Sequence, residues 1–558
     1  MKIVIVGGVA GGATAAARLR RLDENAEIVI FERSGYVSYA NCGLPYYIGG
    51  EIERSEDLFL QTPEGFWSRF RINVKTLHEV KAINPAKKTV TVEDKTNQIV
   101  FEESFDKLIL SPGAKPVIPD FSVNSDDRIF TLRTVEDTID IHKYATENKP
   151  ENAVIIGGGF IGLEMAENLS VLGIKVSIIQ RGNHVLNTID QDIASFVHSK
   201  IKSKGIDILL ETDVKGIENG YVICNCGKIK ADIIIVATGV TPESELAKKA
   251  GLKLGFKNAV WVDEHMRTSD ENIYAVGDAV EVKNFVSGEK ANITLAGPAN
   301  KQGRIAADNI CGIKSTYKGT QGASVIKIFD MTVASTGMNE TMLKYHGVEY
   351  EKVILSPLSH AGYYPGATVM TLKVLFEKET FKILGAQCVG YEGVEKRIDV
   401  IATAIYSGLG ADELKDLELT YAPPYSSAKD PVNMAGFIID NIKSGTVKQF
   451  YYDDIESLRA RNDITLLDTR TVYEYSRGHA DGFSNIPLDS LRERMSELDK
   501  SKPVYVMCQS GLRSYLATRI LVQNGFDAYN FAGGYRLYSS MYSDKLTSKK
   551  AYECGMEK

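Results

Sequence analysis

The stretch IVIVGGVAGG, residues 3–12, predicts how the N-terminal part of the chain folds. Its apolar half forms a buried strand, and the glycines turn the chain into a helix-forming run at 13–22. A second strand at 27–31 ends in Glu32. In such a βαβ unit the glycines let a pyrophosphate approach the helix N-terminus, and the acid accepts ribose hydroxyls. The unit predicts a dinucleotide site, although Val9 replaces the second glycine of the usual fingerprint.

A second βαβ unit carries the complete fingerprint Gly157, Gly159 and Gly162, between a strand at 153–156 and a helix at 163–172. Two such units imply two nucleotides. The next strand, 176–179, ends in Gln180 and Arg181 rather than in the carboxylate that would favour the 2′-hydroxyl of NADH. Arg181 could face the extra phosphate of NADPH, so the choice between NADH and NADPH stays open.

Later strand-to-turn segments at 108–113, 233–239 and 273–278 extend the pattern. The last ends in Gly277-Asp278, which can place a carboxylate on the ribityl chain of a flavin. A surface Gly-Asp turn is the alternative for an isolated motif. Its position after both fingerprints favours the flavin role.

A single cysteine, Cys42, lies in the stretch SYANCGLP at 38–45. A thiol beside a flavin ring is useful as a thiolate that stacks against the ring or attacks a neighbouring sulfur. Cys42 is therefore the first candidate catalytic residue.

The order of these motifs resembles the pyridine nucleotide-disulfide oxidoreductases, and the lone Cys42 resembles the branch with coenzyme A-disulfide reductase, NADH oxidase and NADH peroxidase. Relatives with an internal dithiol have their second cysteine where this chain has Tyr47. The second sulfur is therefore expected from a substrate, and Cys42 is expected to rest as a mixed disulfide or a sulfenic acid. The resemblance implies FAD, NADH and/or NADPH, and coenzyme A as bound thiol or substrate.

The resemblance also implies site residues. The expected cofactor-binding residues are Gly7, Ala10, Gly11, Glu32, Arg33, Asn41, Val80, Ser111, Gly113, Gly157, Gly159, Gly162, Arg181, Gly239, Asp278 and Ala296. The expected substrate-binding residues are Thr14, Arg18, Arg21, Ser38, Asn41, Asn300 and Lys429. The run Arg18, Arg20 and Arg21 has two interpretations, a solvated helical face or a cationic rim that holds the phosphates of a large thiol.

Two tyrosines, Tyr363 in YYPG (363–366) and Tyr421 in YAPPYSSAKD (421–430), resemble a pair that protonates the reduced sulfur in coenzyme A-disulfide reductases. Tyr364 and Tyr425 are alternates. Tyrosines are more often packed aromatics than acids, so this prediction rests on the flanking motifs. The resemblance implies a homodimer in which each subunit lends these residues to its partner's active site.

The C-terminal part resembles a single-domain rhodanese, through LLDTR at 466–470 and CQSGLRS at 508–514. A strand ends at Cys508 and a helix begins near Arg513, so loop N–H groups converge on the sulfur and favour a persulfide anion. Four residues separate Cys508 from Arg513, as in rhodaneses. We expect both residues to be catalytic.

The composition of the chain limits the partners and the cellular compartment that we expect. The net charge of -7 argues against nucleic acid as a partner. No apolar run is long enough to cross a bilayer, and the apolar start is too short for a signal peptide, so we expect a cytoplasmic protein without a membrane partner. Seven scattered cysteines indicate a reducing compartment. Cys224 and Cys226 lack a second pair or a nearby histidine, so we expect no metal site there and interpret them as two strand cysteines.

The predicted class is α/β, with two Rossmann-like dinucleotide-binding domains, an α+β dimerisation domain and an α/β rhodanese domain. The predicted limits are FAD-binding 1–112 and 241–322, NAD(P)-binding 113–240, dimerisation 323–442, linker 443–452 and rhodanese 453–545. We expect an FAD-dependent NAD(P)H:disulfide oxidoreductase that reduces coenzyme A disulfide, coenzyme A persulfide or polysulfide, with Cys508 handling sulfane sulfur. The alternatives are an NADH oxidase or peroxidase with Cys42 as a sulfenic acid, and a sulfurtransferase with a regulatory flavoprotein half.

Overall fold

The computed structural model describes residues 1–120, 122–123 and 128–545. The chain forms two compact units. The first comprises 1–182 and 209–322, and the second comprises 183–208 and 323–545, within the described residues. The predicted α/β class is confirmed, because both units combine helices with β-sheets. No helix among the described residues is long and apolar enough to cross a membrane.

A five-stranded parallel sheet carries the first glycine turn. Its strands, in spatial order, are Ile273–Ala275, Lys107–Leu110, Lys2–Val6, Glu27–Glu32 and Asn73–Thr76. The central residues Ile3, Val4 and Ile5 are fully buried, as expected for a parallel sheet covered on both faces. The glycine turn therefore sits at the carboxyl end of a rigid central strand, where α/β sheets bind their ligands.

A second parallel sheet repeats this arrangement with Ile129–Phe130, Ile233–Val236, Asn152–Ile156 and Lys175–Ile179 as successive neighbours. The helices of the first unit are Ala10–Leu22, Leu44–Ile48, Pro63–Phe70, Val135–Glu147, Phe160–Val171, Glu245–Lys249 and Ala296–Ile310. Its other strands are His78–Asn84, Thr89–Asp94, Ile99–Ser104, Ala114–Pro116, Ser122–Val123, Val214–Glu218, Tyr221–Cys224, Gly227–Lys230, Val240–Pro242, Val282–Lys283 and Lys290–Ala291. A further strand, Asp207–Leu209, spans the chain boundary between the units.

The second unit contains an antiparallel sheet followed by a parallel one. The antiparallel order is Ser324–Ile328, Met331–Gly337, Ile383–Gly390, Thr371–Glu377 and Tyr350–Leu355. The parallel order is Gln449–Phe450, Ala528–Phe531, Val504–Met507, Thr465–Asp468 and Ser484–Asn485. The helices are Gln191–Ser203, Glu340–Tyr345, Val394–Ser407, Pro431–Lys443, Ile455–Arg459, Val472–Ser476, Leu491–Arg494, Leu512–Gln523 and Gly534–Lys545.

The region predicted as a rhodanese packs against the rest of the second unit. The strand Gln449–Phe450, inside the predicted linker, is an edge strand of the last sheet. Tyr451 donates from its hydroxyl to the Lys352 carbonyl at 2.9 Å. The Ser195 hydroxyl donates to that of Ser540 at 2.7 Å in a buried position. The charged segment after Lys443 thus joins the last sheet through main-chain hydrogen bonds, which its composition does not predict.

Lys373 organises the buried centre of the second unit. Its fully buried ammonium lies 2.8 Å from Asp190, 2.7 Å from Asp192 and 2.5 Å from Glu340. Burial alone would lower the pKa of Lys373, but these carboxylates raise it instead. Burial opposes ionisation of Glu340, yet Lys373 and Lys352 outweigh it and hold the pKa of Glu340 well below its usual range. The three carboxylates, grouped closely enough to hold a metal ion, surround a lysine.

Replacing Lys373 with Met should destabilise the second unit by about 3–5 kcal/mol, because three carboxylates lose their buried counter-ion. The urea unfolding midpoint measures this loss. Lys344→Met is the matched control, since Lys344 lies 3.9 Å from Glu340 but is 67% exposed, and exposed pairs contribute about 0–1 kcal/mol. Because the pKa of Glu340 is lowered in the fold, its contribution should also fade as acid protonates it. Equal midpoints for both variants would contradict this account.

Candidate active site

The first glycine turn is bare backbone at a helix N-terminus. It follows the strand Lys2–Val6 and opens the helix Ala10–Leu22. Gly7 has a φ of 93°, and a Cβ there would lie 2.2 Å from the Ser111 carbonyl oxygen, so glycine is required. A Cβ at Gly11 would also clash, at 2.9 Å from a neighbouring side chain. This surface suits a pyrophosphate.

Glu32 lies at the end of the neighbouring strand and is buried. Its carboxylate accepts hydrogen bonds from the Gly8 N–H at 2.8 Å and the Ser34 N–H at 3.0 Å. Burial raises the pKa of Glu32, although these N–H groups oppose the shift. The predicted ribose-binding acid is therefore oriented by the glycine turn itself.

Several polar atoms around this turn fit a polar cofactor such as FAD. Asn41 Oδ1 and Glu136 Oε2 are buried, and neither has a hydrogen-bond partner among the described residues. Buried polar atoms without partners are rare in proteins, so they mark a ligand surface. Asp278 accepts from the Arg133 guanidinium at 2.7 Å, which leaves its second oxygen for another donor.

The second glycine turn differs at the strand end. Gly157 has a φ of 113°, and a Cβ at Gly159 would meet open space. The side-chain oxygen of Gln180 accepts from the Gly158 N–H at 2.9 Å, as Glu32 does in the first unit. Arg181 is exposed beside it. This edge is therefore neutral at Gln180 and cationic at Arg181, which fits a nicotinamide dinucleotide.

The other predicted cofactor residues lie in turns, strands and a salt bridge. They are Ala10 and Ala296 at helix starts, Ser111 and Val80 in or after strands, Gly113 and Gly239 at positive φ, Gly162 packed on the Gly157 carbonyl, and Arg33 paired with Glu243 at 3.0 Å. These roles remain predictions.

Cys42 lies in the turn Asn41–Gly43 and its side chain reaches the surface. The surrounding protein nevertheless raises the pKa of its thiol by desolvation, and the charge of Glu164 adds to the shift while Arg133 opposes it. These groups favour the thiol, whereas a stabilised thiolate was expected. Burial and Glu167 in turn raise the pKa of Glu164 to about 7. Glu164 was not predicted from the sequence.

Tyr47, where dithiol relatives carry their second cysteine, lies in the helix Leu44–Ile48. Its ring packs against His142 with a centroid separation of 5.0 Å. Cys42 forms no disulfide in the structure.

The three arginines of the first helix have different surroundings. Arg18 pairs with Asp308 at 2.7 Å. Arg20 is buried and donates to the main-chain carbonyls of Phe70, Asp23, Glu24 and Arg71. Arg21 is exposed. Neither interpretation of the run therefore holds for Arg20, which anchors the chain.

The remaining predicted substrate residues lie in both units. Thr14 donates from its hydroxyl to Asn300 at 2.9 Å. Ser38 adopts a φ of 49°. Lys429 is exposed in the second unit.

Tyr363 and Tyr421 meet at their hydroxyl groups, 2.8 Å apart. They are 77% and 48% exposed, so the pair is open to a substrate. The hydrogen bond with Tyr421 raises the pKa of Tyr363. The alternates do not share this contact: Tyr364 packs edge-on to His360 at 5.7 Å, and Tyr425 is 73% exposed.

Arg397 holds the two tyrosine-bearing loops together. This buried residue donates to the Ser359 carbonyl at 3.0 Å and the Ser426 hydroxyl at 3.1 Å. It also pairs with Asp430 at 2.9 Å. One loop leads from Ser359 to Tyr363, and Ser426 and Asp430 follow Tyr421. The sequence analysis did not identify Arg397, because its partners are distant along the chain.

Cys508 is buried at the end of the strand Val504–Met507. Its sulfur accepts from the Gly511 N–H and from the Ser514 hydroxyl, both at 3.2 Å. Gly511, with a φ of 98°, precedes the helix Leu512–Gln523. The loop thus presents two donors and a helix N-terminus to one sulfur, an arrangement that stabilises anionic sulfur.

Arg513 lies in the first turn of this helix and makes a two-point salt bridge with Glu474, at 2.7 and 2.6 Å. This hydrogen bonding lowers the pKa of Glu474 to about 2. The guanidinium is thereby held beside the Cys508 loop with part of its charge neutralised.

Three family descriptions match the chain. Residues 1–303 match the pyridine nucleotide-disulphide oxidoreductase family, residues 323–431 match its dimerisation domain, and residues 452–541 match the rhodanese-like domain.

Individual proteins extend this similarity. The coenzyme A disulfide reductase of Staphylococcus haemolyticus is 40% identical over 438 residues, covering 78% of this chain and 98% of its own. The structure of reduced Bacillus anthracis CoADR-RHD superposes with a TM-score of 0.95 at 47% identity, covering 97% of this chain and 98% of the other. An NAD-dependent persulfide reductase from A. fulgidus has a TM-score of 0.92 at 38% identity, covering 96% and 100%.

Glu164→Gln should increase the rate at which iodoacetamide alkylates Cys42 in the reduced full-length protein. The charge of Glu164 raises the pKa of Cys42, so its removal increases the thiolate fraction by roughly two- to tenfold. The gain should be largest at pH 8 and small at pH 6, where Glu164, with its pKa of about 7, is mostly protonated in the native protein. Peptide mass spectrometry gives the rates, with Glu102→Gln, an exposed acid, as control. The same rate in both variants at pH 8 would refute the electrostatic assignment.

Proposed function

The chain belongs to the pyridine nucleotide-disulphide oxidoreductase family and ends in a rhodanese-like domain, and we propose that it is an FAD-dependent NAD(P)H:disulfide oxidoreductase. Its proposed substrates are coenzyme A disulfide and coenzyme A persulfide or polysulfide. The observation that carries the proposal is the joint presence of a lone Cys42, a hydroxyl pair at Tyr363 and Tyr421, and a donor-lined Cys508. The similarity to a coenzyme A disulfide reductase in sequence and to an NAD-dependent persulfide reductase in fold supports this proposal.

Bound FAD supplies two-electron transfer from a nicotinamide to a disulfide. Gly7, Gly11, Glu32, Asn41 and Asp278 would hold it. The Cys42 thiolate attacks one sulfur of the substrate, so a bond from Cys42 to that sulfur forms as the substrate S–S bond breaks. One thiolate leaves, and reduction of the mixed disulfide returns the second thiol and the free Cys42.

Tyr363 and Tyr421 of the partner subunit protonate the departing thiolate at their hydroxyl groups. The 2.8 Å contact lets the Tyr421 hydroxyl protonate the thiolate while the Tyr363 hydroxyl, which keeps its proton, donates to the Tyr421 phenolate that remains. The dimerisation-domain match supports a homodimer with shared sites.

Coenzyme A phosphates require cations that are not already neutralised. Arg18 is paired with Asp308, whereas Arg21 and Lys429 are exposed and are the better candidates. Thr14, Ser38 and Asn300 are proposed to bind the rest of the substrate. At the nicotinamide site, Gln180 and exposed Arg181 support the use of NADPH as well as NADH.

The rhodanese-like domain takes up sulfane sulfur at Cys508. The Gly511 and Ser514 donors point at the Cys508 sulfur and stabilise negative charge on a persulfide formed there, and Arg513 attracts an anionic sulfur donor with the part of its charge that Glu474 leaves. We propose that sulfur from polysulfide or thiosulfate passes through Cys508 before Cys42 reduces the resulting S–S bond.

Replacing the two cysteines one at a time tests this division. Cys42→Ser should abolish NAD(P)H oxidation with either coenzyme A disulfide or polysulfide under anaerobic conditions. Cys508→Ser should leave the disulfide rate within about twofold and lower the polysulfide or thiosulfate rate by at least about 100-fold, the usual scale for losing a nucleophile's role. Cys311→Ser is the control, because Cys311 is a half-buried thiol outside both sites.

Three results would count against this proposal. Equal losses in Cys508→Ser would remove the division of labour. Retained disulfide reduction in Cys42→Ser would remove the reductase mechanism, and oxygen consumption matching the disulfide rate would favour an oxidase.

Tyr421→Phe should slow coenzyme A disulfide reduction by about 10- to 100-fold, because one proton-donating hydroxyl is lost. Its hydrogen bond raises the pKa of Tyr363, so its removal should also move the alkaline limb of the kcat profile to lower pH. The control is Tyr345→Phe, at a tyrosine that is 85% exposed. An unchanged alkaline limb together with an unchanged rate would exclude the pair from proton transfer.

A further inference from the structure

A cysteine pair outside the proposed active site lies at the tip of a hairpin. The strands Tyr221–Cys224 and Gly227–Lys230 are antiparallel, and Cys224 is opposite Gly227. Asn225 and Cys226 therefore form a two-residue turn. The sulfurs of Cys224 and Cys226 are 2.8 Å apart, so they are in contact, and Cys226 belongs to the turn rather than to a strand as predicted.

The hairpin holds the two thiols together. The Asn225 side chain accepts from the Asp213 N–H at 3.1 Å and donates to the Glu211 carbonyl at 3.4 Å. These bonds tie the turn to the preceding segment. The hydrogen bonds of Asn225, and not the cysteines alone, therefore keep the two sulfurs in contact.

The two thiols differ in access. Cys224 is 7% exposed and donates to the Gly227 carbonyl at 3.2 Å, whereas Cys226 is exposed. Burial, together with the hydrogen bond between the two sulfurs, raises the pKa of Cys224. Within the described chain, no histidine or carboxylate joins the pair to complete a metal-binding group. The arrangement suits an entry thiol and a resolving thiol.

We propose that Cys224 and Cys226 form a redox-active dithiol that reacts with low-molecular-weight disulfides. The Cys226 thiolate attacks a disulfide RSSR, forms a mixed disulfide and releases RS⁻. The Cys224 thiolate then attacks the Cys226 sulfur, closes the Cys224–Cys226 disulfide and releases the second RS⁻. In sum, one RSSR is reduced to two RSH, and the dithiol loses two electrons and two protons.

This site is independent of Cys42 and lies outside the proposed function. A disulfide between residues two apart closes a very short loop, and short loops add little stability. The oxidised pair should therefore be reopened by excess thiol, which makes the site reversible.

Alkylation and mass spectrometry of the full-length holoenzyme test the proposal. The reduced enzyme is equilibrated at pH 7 with mixtures of oxidised and reduced glutathione, then alkylated and digested with trypsin. The peptide from 216 to 228 contains both cysteines and no others. It should change from doubly alkylated to unalkylated with the loss of two hydrogens, and reduced glutathione should reverse the change. The peptide with Cys311 is the internal control for a single thiol.

Two variants separate the roles. In Cys224→Ser, Cys226 should accumulate as a stable glutathione mixed disulfide, because the resolving thiol is gone. In Cys226→Ser, which alters an exposed position that tolerates change, buried Cys224 should react at least about tenfold more slowly than Cys226 did. The proposal would be overturned if the Cys224–Cys226 disulfide formed in none of the glutathione mixtures. It would also be overturned if the native peptide carried glutathione without forming that disulfide. Loss of activity in Cys42→Ser would not affect this test.

Discussion

A lone thiol cannot form a disulfide without a sulfur from elsewhere, and this constraint governs the proposed active site. Cys42 is followed by a short helix in which Tyr47 packs against His142. That aromatic contact fills the place where a second cysteine would stand in dithiol relatives. We therefore expect any S–S bond at Cys42 to include a sulfur from a substrate. The substrate becomes one half of the redox centre. The groups that bind the substrate therefore also determine which disulfide is reduced.

The second requirement is a proton for the thiolate that leaves. The exposed hydroxyl groups of Tyr363 and Tyr421 can supply it only if their loops hold them within hydrogen-bonding distance. Arg397 keeps the two loops in place, because its one buried guanidinium binds both of them and Asp430 offsets its charge. Since a buried arginine is costly without such a partner, the pair specifies one arrangement of the loops rather than adding net stability.

Local patterns predicted the fold well, and contacts distant in the chain were beyond them. Strand, glycine turn and helix alternate at short range, so both dinucleotide units could be read from the sequence, with helices beginning at Ala10 and Phe160, slightly earlier than expected. Lys373, Arg397 and Glu164 carry no local signal, because each is defined by partners from other elements. Arg20 shows the limit clearly. It stands beside Arg21 in one basic run, yet only Arg20 meets four carbonyl groups and becomes buried.

The two proposed catalytic sulfurs, Cys42 and Cys508, lie in different electrostatic surroundings. At Cys508, an N–H and a hydroxyl point at the sulfur, so a negatively charged persulfide can be held there without an external cation. At Cys42, desolvation and Glu164 raise the thiol pKa. Each thiolate formed against such a pKa is more nucleophilic, but this gain is smaller than the loss in thiolate fraction, so the charge of Glu164 slows attack by Cys42 near neutral pH. Cys508 is thus suited to store sulfur, whereas the rate at which Cys42 attacks a substrate sulfur depends on whether Glu164 is ionised.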